Sequence, residues 1–106
     1  MATIVTGIKV NDVVDAFNSA ASVGTSTIYT APANGYAIVQ VTLTVPATTV
    51  GEIRVDNINI APQLSGAAQQ FIYSVYLGPG AVLGVTKVSG SGGVDGYARG
   101  VEFINS

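Results

Sequence analysis

The 106-residue sequence contains no histidine and no cysteine, and only four basic and six acidic residues. Without cysteine there is no disulfide, no thiolate nucleophile and no sulfur-ligated metal, so the fold stands on packing alone. Without histidine, a serine hydrolase lacks its usual base, and Lys9 and Lys87 stand in no Ser-x-x-Lys context that would replace it. Charged residues make up 9% of the chain, against about 25% in an average soluble domain. Low charge of both signs weakens the ordinary defence against self-association, which points to an assembled state. The cations Lys9, Arg54, Lys87 and Arg99 are scattered and the net charge is −2. That leaves no electrostatic footprint for a phosphate backbone, and direct nucleic-acid binding is not expected.

Long apolar runs are absent as well. No segment approaches the ~20 residues of a membrane-spanning helix, and "MATIVTGIKVNDVVDAF" lacks the basic leader and apolar stretch of a signal peptide. Synthesis in a cytoplasm, with no membrane partner, is the expectation.

What the chain does have is alternation with period two. In "GYAIVQVTLTV" Ala37, Val39, Val41, Leu43 and Val45 are apolar, opposite Tyr36, Ile38, Gln40, Thr42 and Thr44. This predicts a half-buried strand over 35–45, opened by Asn34-Gly35 and stopped by Pro46. "TSTIYTAP" reads as a strand closed by Pro32. "EIRVDNINI" changes phase at Asp56-Asn57, which predicts a tight hairpin or a bulge. In "FIYSVYLGPGAVLGV" two strands flank Gly78-Pro79-Gly80 and read as a hairpin. The first of them carries Phe71, Tyr73, Val75 and Leu77 on one face and Ile72, Ser74 and Tyr76 on the other. Two partly apolar faces imply burial on both sides, in the middle of a sandwich or at a subunit interface. "SGSGGVDG", residues 89–96, reads as a flexible loop, and "YARGVEFINS" as a final strand.

Residues 11–22 fit two descriptions. Val13, Phe17 and Ala21 are spaced as on one helix face, behind an Asn11 or Asp12 cap, while the valine pair argues for strand. "ATIVTGIKV" fits an arm or an edge strand. Seven or eight short strands with frequent turn signals predict an all-β antiparallel sandwich or barrel over residues 23–106, preceded by an N-terminal arm or edge segment over 1–22.

No constellation carries catalysis. Asp12 and Asp15 are the nearest acidic pair, and local capping or turn bonding is their expected role. Asp56, Asn57 and Asn59 read as a hairpin turn rather than a calcium loop. The glycine-serine run is followed by no Gly-Lys-Ser/Thr and no helix, so it is no phosphate cradle. No enzyme activity, metal or cofactor is implied. The tyrosines Tyr29, Tyr36, Tyr73, Tyr76 and Tyr97 are expected mostly in the core or at its rim.

The order "TIYTAPANGYAIVQVTL", "IRVDNINI", "IYSVYLGPGAVLGV", a glycine-serine loop and "GVEFI" resembles the small jelly-roll domains of tailed-bacteriophage virion proteins. Capsid decoration (cement) proteins and tail-fibre or receptor-binding tips are the nearest in kind. Their strand ending in Pro-x-x-Gly and their later Leu-x-x-Gly corner are matched here by Pro32 to Gly35 and Leu77 to Gly80 over about 80 residues. The resemblance implies a jelly-roll β-sandwich and a structural protein, a homotrimer on the outer surface of a phage head, bound to the major capsid protein. Contacts with other copies or the capsid are then expected at Ile4, Ile8 and Phe17 of the N-terminal segment and at Ile72 and Tyr76 of the two-faced strand. The alternative is a fibre tip that recognises host-surface glycan, with Tyr36 and Tyr97 as contacts.

Overall fold

The computed structural model describes residues 8–60, 63 and 67–105. The strands are β1 (Ile8–Ala20), β2 (Gly24–Thr30), β3 (Gly35–Val45), β4 (Thr49–Val55), β5 (Ile58–Asn59), β6 (Gln69–Leu77), β7 (Val82–Gly90) and β8 (Val94–Asn105), with no helix among the described residues. They form two antiparallel four-stranded sheets, the first in the order β1-β8-β3-β6 and the second in the order β2-β7-β4-β5. This is the strand order of an eight-stranded jelly roll, and the expectation of an all-β jelly-roll sandwich holds.

The order follows from one hairpin folded on itself. Asp56 and Asn57 both take positive φ, at 50° and 65°. That pair is what a two-residue type I′ turn needs, and the turn's twist matches that of its flanking strands. From it the two halves of the chain pair outward. Val55 meets Ile58, Ala37 meets Leu77, Thr30 meets Val82, Ala20 meets Val94 and Ile8 meets Asn105, each pair nearly equidistant from the turn. Lateral pairing of β3 with β8 and of β4 with β7 then rolls this ribbon into two sheets.

Sequence expectations about local elements are refined accordingly. β3 spans the expected 35–45. The stretch 71–85 is not a hairpin, because β6 belongs to the first sheet and β7 to the second. Gly80 has φ 71° and Ala81 N donates to Gly78 O at 3.0 Å. Proline then glycine at the two central positions is the signature of a type II turn, whose twist splays strands apart instead of pairing them. The loop expected over 89–96 shrinks to Ser91–Gly93, since β7 runs through Gly90 and β8 starts at Val94. Thr49 Oγ1 accepts from Gly92 N at 3.0 Å and ties that turn to β4. Residues 11–20 are strand, not helix. They lie within β1, which forms an edge of the first sheet and buries Val14 and Ala20. Asp12 Oδ1 accepts from the amide of Val13 and Asn18 Oδ1 from that of Ser19, local bonding that does not build a helix.

The core is aliphatic. Leu43, Ile53, Leu77, Leu83, Val41, Val45, Val85 and Val94 are wholly buried between the sheets, each contributing about 1.5–3 kcal/mol. None of the eight aromatic residues is fully buried; of the tyrosines, Tyr29 and Tyr73 pack half-buried at the rim of the core, while Tyr36, Tyr76 and Tyr97 stand on the outer side of the first sheet. The space they would need is missing because β8 turns Gly96, Ala98 and Gly100 inward at the centre of the first sheet. A Cβ on Gly96 would stand 2.5 Å from Ile28 Cδ1 and 3.0 Å from Val85 Cβ, so the second sheet packs directly onto bare backbone. Gly96→Ala should therefore cost about 1–3 kcal/mol through overpacking, read as a lower urea midpoint with an unchanged slope.

Candidate functional site

The outward face of the first sheet is built by the register of its four strands. Five successive rows can be read across β1, β8, β3 and β6, the lowest of them the polar set Ser19, Asp95, Thr44 and Gln70. The uppermost holds Val10, Phe103 and Tyr36; the next Val13, Val101, Ile38 and Tyr76. Below them lie Asp15, Arg99, Gln40 and Ser74, and then Phe17, Tyr97, Thr42 and Ile72. Two apolar bands thus flank one polar belt. Val13 is 70% exposed, Tyr76 63%, Phe17 58% and Ile72 54%, and Val10, Ile38 and Ile8 are exposed as well. Isolated exposed apolar side chains are ordinary, but a contiguous set crossing a whole sheet marks an interaction surface.

The ring contacts give the face its shape. Tyr36 stacks on Phe103 with centroids 4.9 Å apart and tilts against Tyr76 at 5.5 Å. In the lower band Phe17 and Tyr97 are 6.3 Å apart. The Arg99 guanidinium lies 5.7 Å above the Tyr97 ring, and the Tyr97 hydroxyl donates to Asp15. That hydrogen bond, with some burial, raises the Tyr97 hydroxyl above its ordinary pKa. Belt and lower band are therefore one linked unit. Beside it a shallow depression of about 460 Å³ is lined by Phe17, Thr42, Thr44, Gln70, Asp95, Tyr97 and Arg99.

The structure brings four of the expected contact residues, Ile8, Phe17, Ile72 and Tyr76, onto this single face, although they come from opposite ends of the sequence. Ile4 lies outside the described residues. Tyr36 and Tyr97 are half-buried on the same face. Ile72 and Tyr76 are on an edge strand with one face in the open, which removes the mid-sandwich explanation for their apolar character. Val13, Ile38 and Val101 complete the upper band. Ile38 carried a sequence signal, as an apolar residue on the polar phase of 35–45.

The second sheet offers nothing comparable. Its outer row holds Glu52, only 1% exposed, whose Oε1 accepts from Arg54 Nε at 2.5 Å and whose Oε2 accepts from Gln63 Nε2 at 2.8 Å. The buried Glu52 carboxylate is thus satisfied by a partly exposed Arg54 two residues along the same strand and by Gln63. No group of three or more metal-ligating side chains occurs among the described residues. Comparison of the chain with protein-family models, with curated proteins and with solved structures finds no match.

One titration reports on how the upper end of the sandwich is closed. Burial, then the carboxylate of Glu102 and that of Asp12, push the Tyr29 hydroxyl up to about 12. The unfolded chain releases this proton near pH 10, whereas the folded chain keeps it. The contribution of this group to stability is therefore fully present below about pH 10 and is lost between about pH 10 and 12. Tyr29→Phe should make that decline shallower in urea unfolding followed across the alkaline range, leaving the slope from Tyr73 and Tyr97, whose pKa values are also raised.

Proposed function

We propose that the protein is a non-enzymatic virion structural protein of the capsid decoration type. It would be made in the host cytoplasm, assemble as a homotrimer and bind the major capsid protein on the outer surface of a phage head. The observation that carries this reading is the two-banded apolar face of the first sheet, on a chain with almost no charge to keep copies apart. Decoration draws its strength from many equivalent modest contacts, which a small rigid sandwich with one sticky face supplies. The Pro32 to Gly35 and Leu77 to Gly80 corners that suggest the resemblance are the links between the two sheets of the jelly roll.

A second reading, a receptor-binding tip for host glycan, is favoured by the depression beside Tyr97. There an aromatic ring, the Gln70 amide and the Asp95 carboxylate, which accepts from Ser19 Oγ at 2.7 Å, line one depression, the mix of apolar and polar groups that a sugar site uses. Both readings meet in one experiment. Purified protein is added to phage heads that lack it, and to a glycan array. Saturable binding to heads, a raised head melting temperature and a silent array are expected. Ile4→Asp should weaken head binding about tenfold, through the N-terminal segment. No binding to heads would end the decoration reading, and array signal abolished by Tyr97→Ala would establish the second.

A further inference from the structure

The rows of the exposed face are complementary to themselves, and we infer that the face docks a second copy of the chain, face to face, about a twofold axis running parallel to the strands. The inference takes its biological setting from the assembled-protein reading above, but its geometry stands on the register alone.

Two twofold axes lie in the plane of such a sheet. An axis across the strands lays each strand on its own counterpart and, when it passes through the belt so that the two apolar bands cover each other, puts Asp15 on Asp15 and Arg99 on Arg99. Like charges at close range inside an interface are strongly disfavoured. An axis along the strands reverses the strand order and keeps the rows in place. β1 then covers β6 of the second copy and β8 covers β3. Reading the observed rows in that order, Asp15 meets Ser74, Arg99 meets Gln40, Val13 meets Tyr76, Val101 meets Ile38 and Phe17 meets Ile72. Every apolar residue of the two bands meets an apolar one, except for Tyr97 over Thr42 and Val10, which has no β6 residue in its row to meet. The charges Asp15, Arg99 and Asp95 each meet a neutral side chain able to hydrogen-bond, Asp95 over Thr44. Twist sets packed sheets about 30° apart, so the matching is tightest at the centre, where the polar belt fixes the alignment.

The size is sufficient. The molecule is 19 Å across, the width of four strands, and eleven residues of β3 at ~3.4 Å each make a face of roughly 700 Å². A standard interface removes about 600–1,000 Å² per partner, and the face lies in the lower half of that range. A twofold on this face is compatible with a trimer built through strand edges, in which case two rings join into six copies.

Light scattering on the purified full chain, without heads present, should find two or six copies, and one or three copies would overturn the inference. Tyr76→Asp should weaken the association at least tenfold at unchanged thermal stability, its side chain being exposed. The decisive pair is at Ser74, which lies across the sheet from Asp15 in its own chain but opposite Asp15 of the second copy. Ser74→Arg should tighten the association about fivefold at low salt and Ser74→Asp should weaken it, both effects shrinking as salt rises. If both weaken it, or neither changes it, the axis along the strands is wrong. Head binding by a protein that stays monomeric or trimeric overturns this inference alone; paired copies that ignore heads overturn only the decoration reading.

Discussion

The nested pairing of the two chain halves about Asp56 and Asn57 is the constraint from which the rest of the molecule follows. Once two positive-φ residues set the turn, each rung of the ribbon decides the partner of the next, and the side-chain period of two decides which face every residue takes. Each closed rung also shortens the loop that the following one must close, so the entropy of the most distant pairings is met in small steps. The non-hairpin corners are consequences of the same constraint. A ribbon this long cannot stay flat, and the Pro32 and Gly78-Pro79-Gly80 turns are where it passes from one sheet to the other.

Rolling the ribbon creates a volume problem, and its solution creates the exposed face. β8 sits in the middle of the first sheet and turns Gly96, Ala98 and Gly100 toward the core, so the sheets approach closely and aliphatic side chains fill what space remains. Rings are displaced. Phe17, Tyr36, Tyr76, Tyr97 and Phe103 all stand on the outer side of the same sheet, where they touch one another instead of the core. The same strand therefore supplies a small-residue inner stripe and, one residue out of phase, the aromatic and charged groups of the outer face.

Much of this was legible in the sequence where one strand's alternation sufficed. The bounds of β3, the turn at Asp56 and the two partly apolar faces of β6 follow from local pattern. What escaped depended on partners. Val13, Phe17 and Ala21 satisfy a helical spacing by coincidence, and only the ladder with β8 makes 8–20 a strand. Of the glycines read as a flexible loop in 89–96, Gly90, Gly92 and Gly96 are there for close approach: a Cβ on Gly90 would stand 2.3 Å from Thr48 O. The corner at Gly78 looked like a hairpin because turn residues announce a reversal without saying which sheet receives the next strand. Ile8, Phe17, Ile72 and Tyr76 were visible one by one as apolar residues, but their union with Val13, Ile38 and Val101 in one patch required the register.

The outermost rung has a topological meaning. Ile8 and Asn105 are paired neighbours, and the Asn105 amide also donates to Asn34 O. The ladder of β1 with β8 thereby closes the described chain into a ring, in which the spatial order of the strands is independent of where the covalent chain is opened. Ile8 and Asn105 thus share one corner of the sandwich, beside the upper apolar band.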